Sequence, residues 1–129
     1  MKATPADTEG PLLSFGPFGV SVCDGPYGIF RWQWKNVFRI ELTDECLRGT
    51  RRSRFRLLGR PRGGASFEIP YATIVSVTLS PHPSPLSLMQ VLDITYRDAQ
   101  GVHQKSIAAY TQPAKSAFAI LQSNTPGKG

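Results

Sequence analysis

The chain has 129 residues, of which 40% are apolar and 19% are charged, and its formal net charge is +6 at pH 7. A chain of this length buries one modest core and leaves no room for a second full domain. Its first residues lack an apolar signal-peptide core, and prolines interrupt the longest uncharged stretch, between Glu68 and Asp93, so we expect neither a signal peptide nor a transmembrane segment.

Eleven prolines and twelve glycines divide the chain into segments that are mostly short enough for strands. This punctuation predicts a mainly β fold. Residues 1–16 show little periodicity, and we expect a flexible amino-terminal arm there. The domain itself is expected over residues 17–122, with a flexible tail over 123–129.

The clearest strand signal runs from Phe30 to Leu42, where every even position but one is apolar and most odd positions are polar or charged. Such alternation predicts a strand with one buried face. Asn36 interrupts the apolar row. A two-residue turn there would send Trp34 and Phe38 to opposite faces, so the pattern favours one bent or bulged strand, or a turn of odd length.

Shorter segments predict the remaining elements. A polar turn at 43–45 leads into Cys46 and Leu47. Further strands are expected at Ser66–Ile69, Ile74–Leu79, Leu88–Tyr96 and Val102–Ala109, with a hairpin loop at 98–101. After Thr111 or Gln112 as a cap, Pro113 begins a helical pattern whose apolar positions are Ala114, Ala117, Phe118 and Leu121. We therefore predict one amphipathic helix that closes the domain.

The stretch from 48 to 62, called the arginine segment below, contains seven arginines and no acidic residue. They are Arg48, Arg51, Arg52, Arg54, Arg56, Arg60 and Arg62. Without them the formal charge of the chain would be −1, so the basicity is one local patch on a near-neutral body. Such a patch can meet a phosphate-rich surface, and we take all seven as candidate anion-binding residues.

The arginine segment has its own local pattern. Arg52, Arg54 and Arg56 alternate with less polar residues, which predicts a strand whose guanidinium groups share one face, and we expect a loop over residues 59–64. Arginine outnumbers lysine two to one in the chain, so part of the patch can reflect genome composition. A charged edge strand also guards a sheet against aggregation. A merely solvated face therefore remains an alternative.

Three stretches together resemble a known fold family. They are 38–47, with a Leu-Thr corner between two strands, 67–77, with an Ile-Pro-x-x-x-Ile-x-Ser-Val pattern, and 92–101, a hairpin before the closing helix. The chain resembles the pleckstrin-homology-like barrel, especially its compact bacterial and GRAM-type branch, over roughly residues 28 to 122. The resemblance implies a β-barrel of about seven or more antiparallel strands with one carboxyl-terminal α-helix.

The resemblance also implies a binding scaffold, because this family mostly binds phospholipid head groups or protein segments. Its lipid-binding members carry their basic signature between the first two strands, whereas here the arginines follow the Leu-Thr corner. No ligand residue can therefore be transferred position by position. Fold alone does not fix function.

Catalytic and metal-binding patterns are not found in the sequence. It contains no nucleophile elbow, zinc-protease motif or phosphate-binding glycine loop. His82 and His103 are expected in an exposed loop and on a sheet face, and Asp44 and Glu45 in a solvated turn. Cys23 and Cys46 have no Cys or His at metal-ligand spacing, which predicts buried thiols in a reducing cytosol. We expect no enzyme, cofactor or metal site.

The sequence thus predicts a cytoplasmic, non-enzymatic binding or adaptor module, able to attach peripherally to a membrane. Its expected partner is an anionic lipid surface or an acidic protein segment, bound through the arginine segment. The alternatives are a basic nucleic-acid-associated module and a protein-interaction domain whose arginines are only solvated. The oligomeric state stays open.

Overall fold

A computed structural model describes residues 11–28, 33–51, 66–84 and 87–125. Nine strands in these ranges form two antiparallel sheets. The four-stranded sheet has the order β1 (Leu13–Phe15), β4 (Phe38–Leu42), β5 (Cys46–Arg51), β6 (Phe67–Pro70). The five-stranded sheet has the order β3 (Trp34–Lys35), β2 (Ser21–Asp24), β9 (Gly101–Tyr110), β8 (Met89–Asp98), β7 (Ile74–Pro81). A 3-10 helix (Tyr71–Thr73) connects β6 to β7, and α1 (Thr111–Asn124) follows β9. The predicted mainly β fold with a carboxyl-terminal helix is confirmed.

The chain breaks between two strands at Asn36. β3 belongs to the five-stranded sheet and β4 to the four-stranded sheet, so the alternative of one bent strand is wrong. The alternative of an odd-length turn is not found either, because the two residues 36 and 37 separate β3 from β4. Asn36 has a positive φ of 59°, and this left-handed backbone turns the chain from one sheet to the other. Trp34 and Phe38 still both pack against the core, as the alternation requires. The two earlier aromatic positions of the pattern, Phe30 and Trp32, lie outside the described residues.

A second chain segment makes the same passage between sheets. β1 pairs with β4, from Leu13 opposite Leu42 to Phe15 opposite Ile40, whereas β2 pairs with β3 and β9. Residues 13–15 were expected in a flexible arm, and the structure instead gives them a strand. Three residues between glycine-proline breakers are too few to show alternation, which is why the sequence did not reveal it.

The core lies between the two sheets and beneath α1. In β4, Phe38, Ile40 and Leu42 are buried, while the odd positions are partly exposed. Other fully buried side chains of the core are Val22, Leu47, Ile69, Leu92, Ile94, Ile107, Ala114, Ala117 and Leu121. The helix packs mainly against β7, β8 and β9, so its apolar face completes the core as predicted.

The helix extends further than the predicted domain boundary at residue 122. α1 continues to Asn124, and the next residue, Thr125, is buried and donates a hydrogen bond from Oγ1 to the Leu121 carbonyl at 2.7 Å. Cys23 and Cys46 are both buried thiols, as expected. Within the described ranges, no helix has the length and apolar character needed to cross a bilayer.

The left-handed conformation of Asn36 should matter for stability. Its Oδ1 accepts a hydrogen bond from the Gly19 N–H at 2.9 Å. Asn36→Ala should lower the free energy of unfolding by about 1–2 kcal/mol, because it loses this bond and strains the backbone. Asn36→Gly keeps the left-handed backbone conformation, so its free energy of unfolding should fall by less than that of Asn36→Ala. Urea unfolding of both variants tests this, and an equal loss would show that the backbone conformation does not contribute.

The helix offers a second stability test. Leu121 is fully buried, whereas Phe118 is only half-buried, so the two apolar residues should contribute unequally. Leu121→Ala should lower the free energy of unfolding by about 2–5 kcal/mol, and Phe118→Ala should cost less. Chemical denaturation measures both. A larger loss for Phe118→Ala would contradict the packing described here.

Candidate functional site

Arg48, the first residue of the arginine segment, lies on the outer face of the four-stranded sheet. The register places it between Glu41 on β4 and Glu68 on β6. Its Nη1 lies 3.6 Å from Glu41 Oε1, and its Nε donates a hydrogen bond to Glu68 Oε2 at 3.2 Å. The bond to Glu68 raises the pKa of the Arg48 guanidinium. Two carboxylates from neighbouring strands thus compensate this charge, although the arginine segment contains no acid.

Arg51 ends β5 on the opposite face. It follows Leu47 and Gly49 at alternate positions, and both of these are buried, so Arg51 has core-facing parity. The two described arginines of the segment therefore do not share a surface. The other candidate residues, Arg52, Arg54, Arg56, Arg60 and Arg62, lie outside the described residues.

The two ends of the arginine segment are joined at its base. The Arg51 N–H donates a hydrogen bond to Ser66 Oγ at 2.8 Å, and β6 begins at Phe67. The Phe67 ring lies directly over Gly49, where an added Cβ would be 2.3 Å from two ring carbons. It also packs against Phe38, with ring centroids 5.3 Å apart. These contacts bring together the described residues on either side of residues 52–65.

Lys105 connects this base to the five-stranded sheet. Its Nζ lies 4.4 Å from the centroid of the Phe67 ring and 2.6 Å from Asp24 Oδ1. The lysine side chain is only 12% exposed. Sequence reasoning missed this contact. Lys105 shares the parity of the buried residues Ile107 and Ala109 on β9, so its position could have marked it as partly buried. Its partners could not have been identified in this way.

The hairpin end of β8 and β9 carries a second polar group. His103 Nε2 lies 2.8 Å from Asp98 Oδ1, and this hydrogen bond lowers the pKa of Asp98. Burial, with the nearby charges of Asp24 and Asp98, raises the pKa of Tyr96, whose ring lies 5.4 Å from that of His103. This histidine is thus oriented by a carboxylate, where the sequence indicated only a solvated sheet face.

His82 also has defined partners. Its Nδ1 accepts a hydrogen bond from the Ser84 N–H at 3.0 Å, so its Nε2 carries the proton and faces Tyr27 Oη at 3.2 Å. The Tyr27 hydroxyl donates in turn to Gln33 Oε1 at 3.0 Å. This arrangement holds residues 25–28 over the outer face of the five-stranded sheet, where Ser106 Oγ donates to the Gly25 carbonyl at 2.7 Å. His82 is therefore half-buried and not an exposed loop residue.

A shallow cleft of about 390 Å³ lies at the start of β5, beside the turn at 43–45. Its lining residues are Thr43, Asp44, Glu45, Cys46, Arg48, Glu68 and Pro70. Asp44 and Glu45 are exposed, as predicted for a solvated turn. Three carboxylates against one guanidinium make the cleft unfavourable for an anion. It lies at the opposite end of β5 from Arg51, so the two ends of this strand differ in charge.

No protein-family model matches the chain, and no curated protein does so either. Function must therefore be inferred from the described contacts and from the sequence. Among these, the base of the arginine segment combines packed contacts of Gly49 and Phe67 with an arginine-rich, acid-free sequence after Arg51.

The turn beside the cleft should give the fold a measurable alkaline limit. Tyr71 is 4% exposed, and its hydroxyl donates to the Thr43 carbonyl at 2.6 Å. Burial raises the pKa of Tyr71 to about 12, above the ordinary value of about 10. The protonated hydroxyl therefore contributes its full stability below about pH 10, and this contribution is lost as the pH rises through about 12.

Tyr71→Phe should accordingly lower stability by about 1 kcal/mol at neutral pH, because the Thr43 carbonyl loses its donor. It should also flatten the decline of stability between about pH 10 and 12. Chemical unfolding of Tyr71→Phe and the parent chain between about pH 10 and 12 tests the second effect. Chemical unfolding at neutral pH tests the first, with Tyr110→Phe as a control at an exposed tyrosine. An unchanged alkaline slope in Tyr71→Phe would contradict the assignment.

Proposed function

We propose that this chain is a non-enzymatic binding module with a pleckstrin-homology-like fold, which recognises an anionic surface through its arginine segment. Two antiparallel sheets, joined by chain segments that pass between them and covered by a carboxyl-terminal helix, are compatible with such a barrel. The sequence resemblance supports the same family. Both supports concern the scaffold, and the ligand must be argued from the charges.

The charge imbalance at the end of β5 carries the proposal. The strands that flank β5 contain two acidic residues, Glu41 and Glu68, and both lie on Arg48. The five arginines that follow β5 in the sequence have no acid among them. They follow the end of β5 that is remote from the acidic cleft.

The base of the arginine segment suits it to present that charge. The hydrogen bond between Arg51 and Ser66 and the contact of Phe67 with Lys105 fix the described residues on either side of residues 52–65. A segment that is fixed at both ends loses less conformational entropy when it binds a ligand, so binding costs less free energy. Guanidinium groups bind phosphate in bidentate geometry, so a phospholipid head group is the favoured ligand.

An anionic lipid surface is the partner that we propose first, with an acidic protein segment as the related possibility. Each basic residue near an anionic membrane contributes about 1 kcal/mol, so the five arginines that follow β5 are sufficient for peripheral attachment. This function needs a protein located where such a leaflet is accessible, as in the cytoplasm.

Neutralising the arginine segment tests the proposal. The variant Arg52→Gln/Arg54→Gln/Arg56→Gln should bind vesicles of phosphatidylcholine and phosphatidylserine about a hundredfold more weakly than the parent chain, because each arginine contributes about 1 kcal/mol. The parent chain's own binding should fall steeply with added salt, because exposed charges are screened. Vesicle sedimentation at low and high salt measures both effects.

The control is Arg97→Gln, which removes an exposed arginine of β8 outside the arginine segment. A parallel titration with RNA separates the alternatives, since preferential, salt-sensitive binding to RNA would favour the nucleic-acid module. If the triple variant loses stability and keeps its affinity, the arginines are structural and the proposal is wrong.

A further inference from the structure

Three large apolar side chains are exposed at one corner of the molecule. Phe18 is 84% exposed, Leu88 is 76% exposed and Tyr110 is 54% exposed. They come from the turn between β1 and β2, the residue before β8, and the end of β9. We call these three residues the apolar corner. None of them belongs to the arginine segment.

Backbone contacts hold the apolar corner together. Gly19, which follows Phe18, has a φ of 75°, and a Cβ on it would lie 2.4 Å from Cε2 of Tyr110, so the tyrosine ring rests on this turn. The Leu88 carbonyl accepts hydrogen bonds from Thr111 N–H at 3.2 Å and Thr111 Oγ1 at 2.9 Å. Asn36 Oδ1 binds the Gly19 N–H. The exposed side chains thus project from a fixed base.

Three basic residues belong to the elements around the apolar corner. Arg39 Nη1 donates to the Gly16 carbonyl at 2.7 Å, at the foot of the Phe18 turn. Lys35 precedes Asn36, and Lys115 lies one helical turn after Thr111. The nearest described acids on these elements include Glu41, which pairs with Ser14 on β1, and Asp24 at the end of β2. Their carboxylates lie 3.6 Å from Arg48 and 2.6 Å from Lys105, so each is already compensated by a cation.

We propose that the apolar corner inserts into an anionic lipid bilayer, with Phe18 entering deepest. Apolar side chains that project from a turn and are flanked by lysine and arginine match the bilayer interface, where apolar groups enter the acyl region and cations remain at the head groups. The basic residues Lys35, Arg39 and Lys115 on these elements favour an anionic partner. This insertion site uses residues distinct from the arginine segment, so either site can fail without the other.

The decisive variant is Phe18→Ser/Leu88→Ser, compared with Val102→Ser, which removes an apolar side chain that is 58% exposed on the β8–β9 hairpin. The affinity of the double variant for phosphatidylcholine–phosphatidylserine vesicles should fall at least about tenfold, and Val102→Ser should bind like the parent chain. The loss should persist at high salt, because insertion is not screened. Exposed side chains contribute little to folding, so the thermal unfolding of the double variant should be unchanged. If the double variant is destabilised, the single variant Phe18→Ser replaces it in the binding test.

Insertion itself is measured with Phe18→Trp. Its fluorescence should shift to the blue, and lipids brominated on the acyl chain should quench it, relative to the parent chain with its native tryptophans. Equal vesicle binding by the double variant and Val102→Ser, or no additional quenching of Trp at position 18, would overturn the proposal. So would a parent chain that self-associates through these residues in solution and does not bind vesicles.

Discussion

The passage of the chain between its two sheets at Asn36 is the constraint on which the rest of the structure depends. Asn36 takes a left-handed conformation, donates its N–H to the Val20 carbonyl at 2.8 Å and accepts from Gly19. These bonds join residues 19–20 to Asn36, where both chain segments pass from one sheet to the other. The break at Asn36 also sets where β4 begins, and the pairing of Phe38 with Arg51 then sets the position of Arg51 at the end of β5.

Sheet pairing, and not the local sequence, decides which arginines carry uncompensated charge. Arg48 belongs to an acid-free run in the chain, yet its neighbours in space are the carboxylates of Glu41 and Glu68. Exposed ion pairs of this kind contribute only about 0–1 kcal/mol to stability. Their larger effect is on the electrostatic potential, because they offset the charge of Arg48.

Periodic segments could be predicted from the sequence, and features that depend on distant contacts could not. The apolar alternation of β4 and β8 and the helical spacing of Ala114, Ala117 and Leu121 identified their elements, because each is long enough to repeat. The strand at Leu13–Phe15 is too short to repeat. The Lys105 contact to Phe67 and Asp24 joins residues far apart in the chain, so only the folded structure brings it together.

The two proposed surfaces depend on forces of different range, and this gives them different tasks. Charge on the arginine segment acts over about a Debye length, roughly 8–10 Å in physiological salt, and can orient the molecule before contact. The apolar corner stabilises binding only when water is removed from its side chains, at contact distance. The first should therefore govern the rate of association, and the second the rate of dissociation. A peripheral protein that uses both would approach a membrane by charge and remain there by burial.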